Sequence, residues 1–253
     1  MKHLKRKIVE MAVSAGEGHI ASAFSILHIL WVLYDRVLDI TPKNIKSLNR
    51  DRFILSKGHA SMGLYVVLAE KGFIKKRSLK DFGKFESSLG GHPDRTKVFG
   101  VEASTGSLGH GLPIATGLAL AMKIQKQKHR VYVIIGDGEC NEGTIWESVK
   151  LAAHHNLSNL YCIVDHNHSG DRALKLGDLR HKFESFGWDA VSIDGHNEKA
   201  IYKALTKKGT DKPMAIVAET IKGHGVKLME NNPAWHHKVP NPEELKEIMK
   251  ALA

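Results

Sequence analysis

The chain has 253 residues, 42% of them hydrophobic, which excludes a disordered chain and is enough to bury a full α/β core, so one domain over residues 1–253 is expected rather than two small ones. No run of 18 apolar residues and no apolar leader stands out, so no membrane contact is expected and the cytoplasm is the expected compartment. The formal charge of +10 is scattered over basic helix faces (Lys2, Lys5, Arg6, Lys7; Lys123, Lys126, Lys128; Lys199, Lys203, Lys207, Lys208) without a nucleic-acid-binding signature; it reads as a solvated surface suited to phosphorylated substrates or a more acidic partner.

Residues 2–14 read as an amphipathic helix with Leu4, Ile8 and Met11 on one face, ending in a glycine-rich turn at 15–19. The helix expected over about 22–38 is apolar almost all round, which assigns it to the core or to an interface. His19 sits at its mouth, a position where a lone histidine otherwise caps or packs. Residues 52–56 form a strand, and Lys57-Gly58-His59-Ala60-Ser61 opens a helix that ends near Lys71 and Gly72. His59 therefore lies at a strand-to-helix turn, on the ligand edge of a sheet. One or two polar helices are expected over 74–86, then a turn at 89–94 that carries His92. A glycine-rich loop at 102–111 leads into an apolar helix over about 112–125.

The densest signal follows. Residues 131–135 are an apolar, β-branched strand that stops on Gly136-Asp137-Gly138. Ile145, Val149 and Ala152 recur at helical spacing within 143–155, and 160–164 is a second buried strand, with Asn167 just beyond it. This is a βαβ unit, whose parallel strands end on one edge. Asp137 and Asn167 can converge there with the backbone carbonyl of Ser169, and three such hard oxygens suit Mg²⁺, with Ca²⁺ or Mn²⁺ as possible substitutes. Gly136 and Gly138 let a phosphate approach the backbone, at the N-terminus of the following helix. The unit reads as a metal-diphosphate clamp. Cys140 and Cys162 have neither metal-ligand spacing nor a disulfide framework and read as reduced structural residues. Helices at 179–186 and 198–207 alternate with strands at 188–193 and 214–220, and Asn241-Pro242-Glu243-Glu244 caps a closing helix over about 241–252.

GDG, then EG, then an asparagine closing the next strand resembles the thiamine diphosphate motif, and its flanks resemble transketolases. Gly18-His19-Ile20-Ala21-Ser22 is similar to the family's GHPG segment, with isoleucine in place of proline. Ser56-Lys57-Gly58-His59 resembles its SxGH turn, and Gly91-His92-Pro93 its GHP segment. Residues 105–111 resemble its TGxLGxG loop, with Ser107 and His110 where most relatives have proline and glutamine. His236, after Trp235, matches a histidine that reaches diphosphate and substrate. His168 stands where glycine commonly follows the asparagine.

The resemblance implies an α/β thiamine diphosphate-binding fold, a mostly parallel central sheet flanked by helices on both faces. It implies a cofactor-binding set of His59, Gly106, Ser107, Leu108, Gly136, Asp137, Gly138, Glu142, Asn167 and His236, and catalytic histidines His19, His59, His92 and His236. Glu142 is either a helix-dipole carboxylate or an acid facing a second copy near the cofactor. The match covers only the diphosphate-binding part of a full transketolase. It therefore implies the N-terminal subunit of a split enzyme that uses thiamine diphosphate and Mg²⁺ to move a two-carbon ketol unit from a ketose (phosphate) to an aldose (phosphate). Such a subunit works with a separate C-terminal subunit carrying the pyrimidine-binding and third domains, self-associating in a heterotetramer. Two other readings stay open: a subunit of another thiamine diphosphate enzyme, such as a 2-oxoacid dehydrogenase first component or a synthase, and a non-catalytic cofactor-binding module.

Overall fold

The computed structural model describes residues 1–207 and 210–253; Lys208, counted above among the basic residues of helix faces, lies outside them. Five strands, β1 (Arg52–Leu55), β2 (Val131–Gly136), β3 (Leu160–His166), β4 (Asp189–Asp194) and β5 (Met214–Glu219), form one sheet in the order β1-β2-β3-β5-β4. Every pairing is parallel. All residues of β1, β2 and β3 are buried, as parallel strands covered on both faces require. The edge strand β4 is only half-buried.

In chain order the helices are α1 (Lys2–Ala15), α2 (Ile20–Val32), α3 (Ser61–Glu70), α4 (Gly111–Ile124), α5 (Gly143–His154), α6 (Leu179–Ser185), α7 (Glu198–Thr206) and α8 (Pro242–Ala251). The pleat sorts strand side chains by parity. Tyr132, Ile134, Tyr161, Ile163 and Ile216 pack with α1, α2, α3, α7 and α8. Val131, Val133, Ile135, Cys162, Val164 and Val217 pack with α4, α5 and α6 on the other face. The layers are therefore helix, sheet, helix. Cys140 and Cys162 are buried free thiols.

The all-round apolar helix α2 is a core helix, continued by a π-helical turn, Leu33–Val37. Among the described residues the combined stretch Ile20–Val37 is long and apolar enough to cross a membrane, and 72% of it is buried inside the protein.

Three expectations fail. Residues 74–86 contain no α-helix, only a 3-10 stretch, Lys76–Asp81. Left-handed backbone at Gly83 (φ 70°) and Glu86 (φ 60°) stops any continuation, and Phe85 points into solvent. Lys5 is not on a solvated face: it is buried, and its ammonium donates to the His224 carbonyl at 2.5 Å. Trp188 lies just before β4 rather than in it, and its indole N–H donates to the Val149 carbonyl at 2.8 Å.

The core argument makes one energetic prediction. Phe24 is fully buried on α2, so Phe24→Ala should lower unfolding stability by about 3–5 kcal/mol, read from denaturant midpoints. A loss below about 1 kcal/mol would mean that α2 is not packed as described.

Candidate functional site

The parallel register brings the carboxyl ends of β2, β3 and β5 together, pairing Gly136 with Asp165 and His166 with Glu219. The floor of the site is built around Asp165, which has no exposed surface. Its Oδ2 accepts from the Lys57 ammonium and from Asn167 Nδ2 at 3.0 Å. Its Oδ1 accepts from the hydroxyls of Ser25 and Thr220, both at 2.5 Å. Burial alone would raise the Asp165 pKa, but the Lys57 charge and these donors outweigh it and hold the carboxyl ionised. Because the Asn167 NH₂ group is spent on Asp165 and on Ser25 Oγ at 3.2 Å, its carbonyl oxygen turns the other way, towards Ser169 N–H.

Asp137 lies immediately after β2. Its Oδ1 accepts from Gly138 N–H at 2.7 Å and from Gly170 N–H at 3.3 Å, while Oδ2 is buried with no hydrogen-bond partner. Burial, and then the nearby Asp165 charge, raise its pKa. An anionic oxygen buried without a donor is costly, and a divalent cation would supply the missing partner. Asp137, Asn167, Ser169 and Gly138 line one cleft of about 330 Å³. The two carboxyl and amide oxygens with the Ser169 carbonyl are the donor set a hard cation takes, with room left for phosphate oxygens. Gly170 is required here: a Cβ would come within 2.9 Å of Gly138 Cα and N.

His59 and His236 line the same cleft, and His59 also lines a neighbouring one of about 290 Å³ with His19, His92 and His237. The His19 ring centroid is 5.1 Å from that of His59 and 5.2 Å from that of His236. His19 Nδ1 lies 2.7 Å from the His236 carbonyl oxygen; a carbonyl only accepts, so Nδ1 carries the proton and Nε2 keeps a free lone pair. Lys222 Nζ lies 2.8 Å from His236 Nδ1; the ammonium donates, so His236 keeps its proton on Nε2. Burial pushes the His19 pKa down to about 4. Burial, with Lys57 next, pushes that of His59 down to about 2. Both imidazoles are neutral at pH 7.

Of the remaining sequence candidates, Gly136, Leu108 and Glu142 line the first cleft, and Gly106 lies against the His92 ring. Ser107 is exposed and lines neither cleft. Glu142 is exposed at the N-cap of α5 and makes no capping hydrogen bond. The buried carboxylate of that turn is Glu139, which accepts from Ser56 Oγ at 2.5 Å, Gly109 N–H at 2.9 Å and Gly136 N–H at 2.8 Å. Sequence reading missed Glu139, Lys57, Asp165 and Lys222. It also missed Ser22, whose hydroxyl is buried without a partner in a residue lining the first cleft. The available signal was an aspartate ending an otherwise apolar strand, and a lysine just beyond the end of another strand.

Comparison with known proteins fits this geometry. Residues 2–253 match the family model for the transketolase thiamine diphosphate binding domain. The chain is similar to a subunit of the apulose-4-phosphate transketolase of Phocaeicola vulgatus, 37% identical over 98% of this chain and 91% of that protein. The protein of the same name from Actinobacillus succinogenes is 40% identical over 99% of this chain and 94% of its own length. The crystal structure of Campylobacter jejuni transketolase superposes with a TM-score of 0.91 at 33% identity; 98% of this chain covers 41% of that one. The chain therefore belongs to the transketolase family and carries its thiamine diphosphate-binding fold.

Proposed function

We propose that this chain is the cofactor-holding subunit of a two-chain, Mg²⁺-dependent transketolase that transfers a two-carbon ketol unit from a ketose phosphate to an aldose acceptor. The observation that carries the metal reading is the buried, unpartnered Oδ2 of Asp137 beside the Asn167 and Ser169 oxygens. The two-chain reading is supported by the relatives that are, by name, single subunits of a transketolase: this chain covers 91% and 94% of their lengths, against 41% of a whole transketolase. Because those relatives act, by name, on apulose 4-phosphate, that sugar is the first donor to try.

In this reading Asp137, Asn167 and the Ser169 carbonyl hold the ion that anchors the diphosphate, and Ser22, His59 and His236 offer hydrogen bonds to it. The cofactor, when bound, supplies the carbanion-stabilising ring, while the protein supplies position and charge. His19 presents an unprotonated Nε2 to accept a proton from a donor-sugar hydroxyl, and His236 presents Nε2–H to a developing oxygen charge. His92, at the outer wall, meets the sugar. The exposed Lys and Arg surplus favours phosphorylated sugars over neutral ones.

Asp137→Asn should abolish Mg²⁺-dependent thiamine diphosphate binding in calorimetry. His92→Ala should lower turnover of the assembled enzyme about 100-fold with cofactor affinity nearly intact. Equal effects of the two changes on cofactor affinity would overturn these roles. The chain by itself should give negligible ketol transfer, gained only on adding its partner; full activity alone would refute the two-chain reading.

The neutral imidazoles also set a pH dependence. Folded-state pKa values of about 4 for His19 and about 2 for His59 lie below the unfolded value of about 6.5. Below that value the unfolded chain takes up protons that the folded one refuses. Stability is therefore fully present above about pH 6.5 and falls as the pH drops towards 5. His59→Gln should flatten melting temperature against pH in that window, and a slope identical to wild type would contradict the assignment.

A further inference from the structure

The end of β3 and the loop after it carry a second set of side chains with ligating atoms that the proposed function leaves unused. One ring nitrogen of His166, one of His168 and a carboxylate oxygen of Asp171 all lie within 4.8 Å of one another, and the two rings are 4.1 Å apart between centroids. His166 Nδ1 lies 2.9 Å from Glu219 Oε1. The carboxylate accepts, so Nδ1 carries the proton and Nε2 is the nitrogen free to ligate. That Nε2 is buried and has no hydrogen-bond partner. His168 is held in the same manner, with Nε2 3.4 Å from Glu219 Oε2 and Nδ1 3.0 Å from Asp171 Oδ2. Asp171 is itself fixed by Leu176 N–H, which donates to its Oδ1 at 2.9 Å.

Metal-ligating histidines characteristically donate their other ring N–H to a carboxylate, which fixes the tautomer and the ring orientation. Here Glu219 does this for His166 from the end of β5, and its other carboxylate oxygen stands 3.4 Å from His168 Nε2 as an ion-pair partner. His168 adopts φ 61°, a backbone region that favours glycine, and in that conformation its ring closes onto Asp171. Among the described residues a cluster of three imidazoles, His28, His196 and His224, also lies within ligating distance but lacks this organisation. There Ile221 N–H occupies His196 Nε2, and the Lys5 ammonium stands 3.4 Å from His224 Nδ1, where it repels a cation.

We propose that His166, His168 and Asp171 bind a divalent transition metal of the zinc or cobalt type, with Glu219 as the orienting carboxylate and water in the remaining positions. Two nitrogens and one oxygen select such an ion over Mg²⁺, which prefers oxygens throughout. On binding, His168 Nδ1 releases its proton to solvent and the metal–nitrogen bond takes its place. The ion then braces the loop that carries Asn167 and Ser169. This site is independent of the oxygen donor set at Asp137 and stands or falls separately from the proposed activity.

The test is a Co²⁺ titration of the full chain at saturating Mg²⁺, followed by visible absorption and by proton release, with Zn²⁺ as competitor. Wild type should bind one Co²⁺ that His168→Gly and Asp171→Asn each bind at least about tenfold more weakly. Asp137→Asn should retain it. His168→Gly suits the local backbone and should fold at least as well as wild type, so a loss of Co²⁺ there reports ligation rather than unfolding. Coincident isotherms for wild type and both loop variants, no Co²⁺ bound by wild type, or loss of the ion in Asp137→Asn with retention in His168→Gly would each overturn the proposal.

Discussion

The site depends on one buried charge pair. Lys57 and Asp165 are both buried and bonded to each other, so neither keeps the full hydration that would make its charge cheap. Such a pair is a weak source of net stability, yet breaking it by removing one partner costs about 3–5 kcal/mol because the other charge is stranded. What it contributes is direction. With Lys57, Ser25, Thr220 and Asn167 all donating to one carboxylate, the Asn167 amide has a single satisfied orientation. Its carbonyl oxygen is thereby presented on the side where Asp137 has an unfilled oxygen. The geometry of the proposed clamp is thus set from beneath by the carboxylate of Asp165 and its donors.

A second carboxylate does the same for the loops above. Glu139 ties the end of β2, Ser56 after β1 and Gly109 before α4 into one buried knot. The two knots sit at neighbouring strand ends, which is why segments far apart in sequence, from Ser22 to His236, line connected clefts. Between them burial lowers the pKa values of His19, His59 and His236, helped at His59 and His236 by neighbouring lysines, and hydrogen-bond partners decide which nitrogen of His19 and His236 bears the proton. Lys222, held at a pKa of about 8 by burial and then by Lys57, sets the tautomer of His236; the His236 backbone sets that of His19. Rings that look alike in the sequence are thus set in different tautomers by what lies behind them.

That division explains how much was legible beforehand. The βαβ unit, the parallel sheet and the convergence of Asp137 with Asn167 follow from apolar runs and glycine turns, signals that are local in the chain. The histidines were placed by their glycine-flanked turns and by resemblance. Asp165 and Lys57 were invisible because their partnership spans 108 positions and because a charge inside an apolar strand makes sense only once the neighbouring strand is known. The stretch 74–86 was misread for the converse reason. Its polar composition suits a helix, but Phe82 turns extended (φ −52°, ψ 133°) and Gly83 and Glu86 are left-handed, so the chain leaves the helical region after the short 3-10 stretch. Ser107, placed by the loop pattern, is exposed and lines neither cleft.

The most direct test of the account is thiamine diphosphate affinity, measured at saturating Mg²⁺, for the double variant Lys57→Met with Asp165→Asn. It removes both buried charges together, so no unpaired ion is left to unfold the chain. The account predicts an affinity about 10- to 100-fold below wild type with unchanged far-ultraviolet circular dichroism. Wild-type affinity in that variant would contradict the claim that this buried pair aims the clamp.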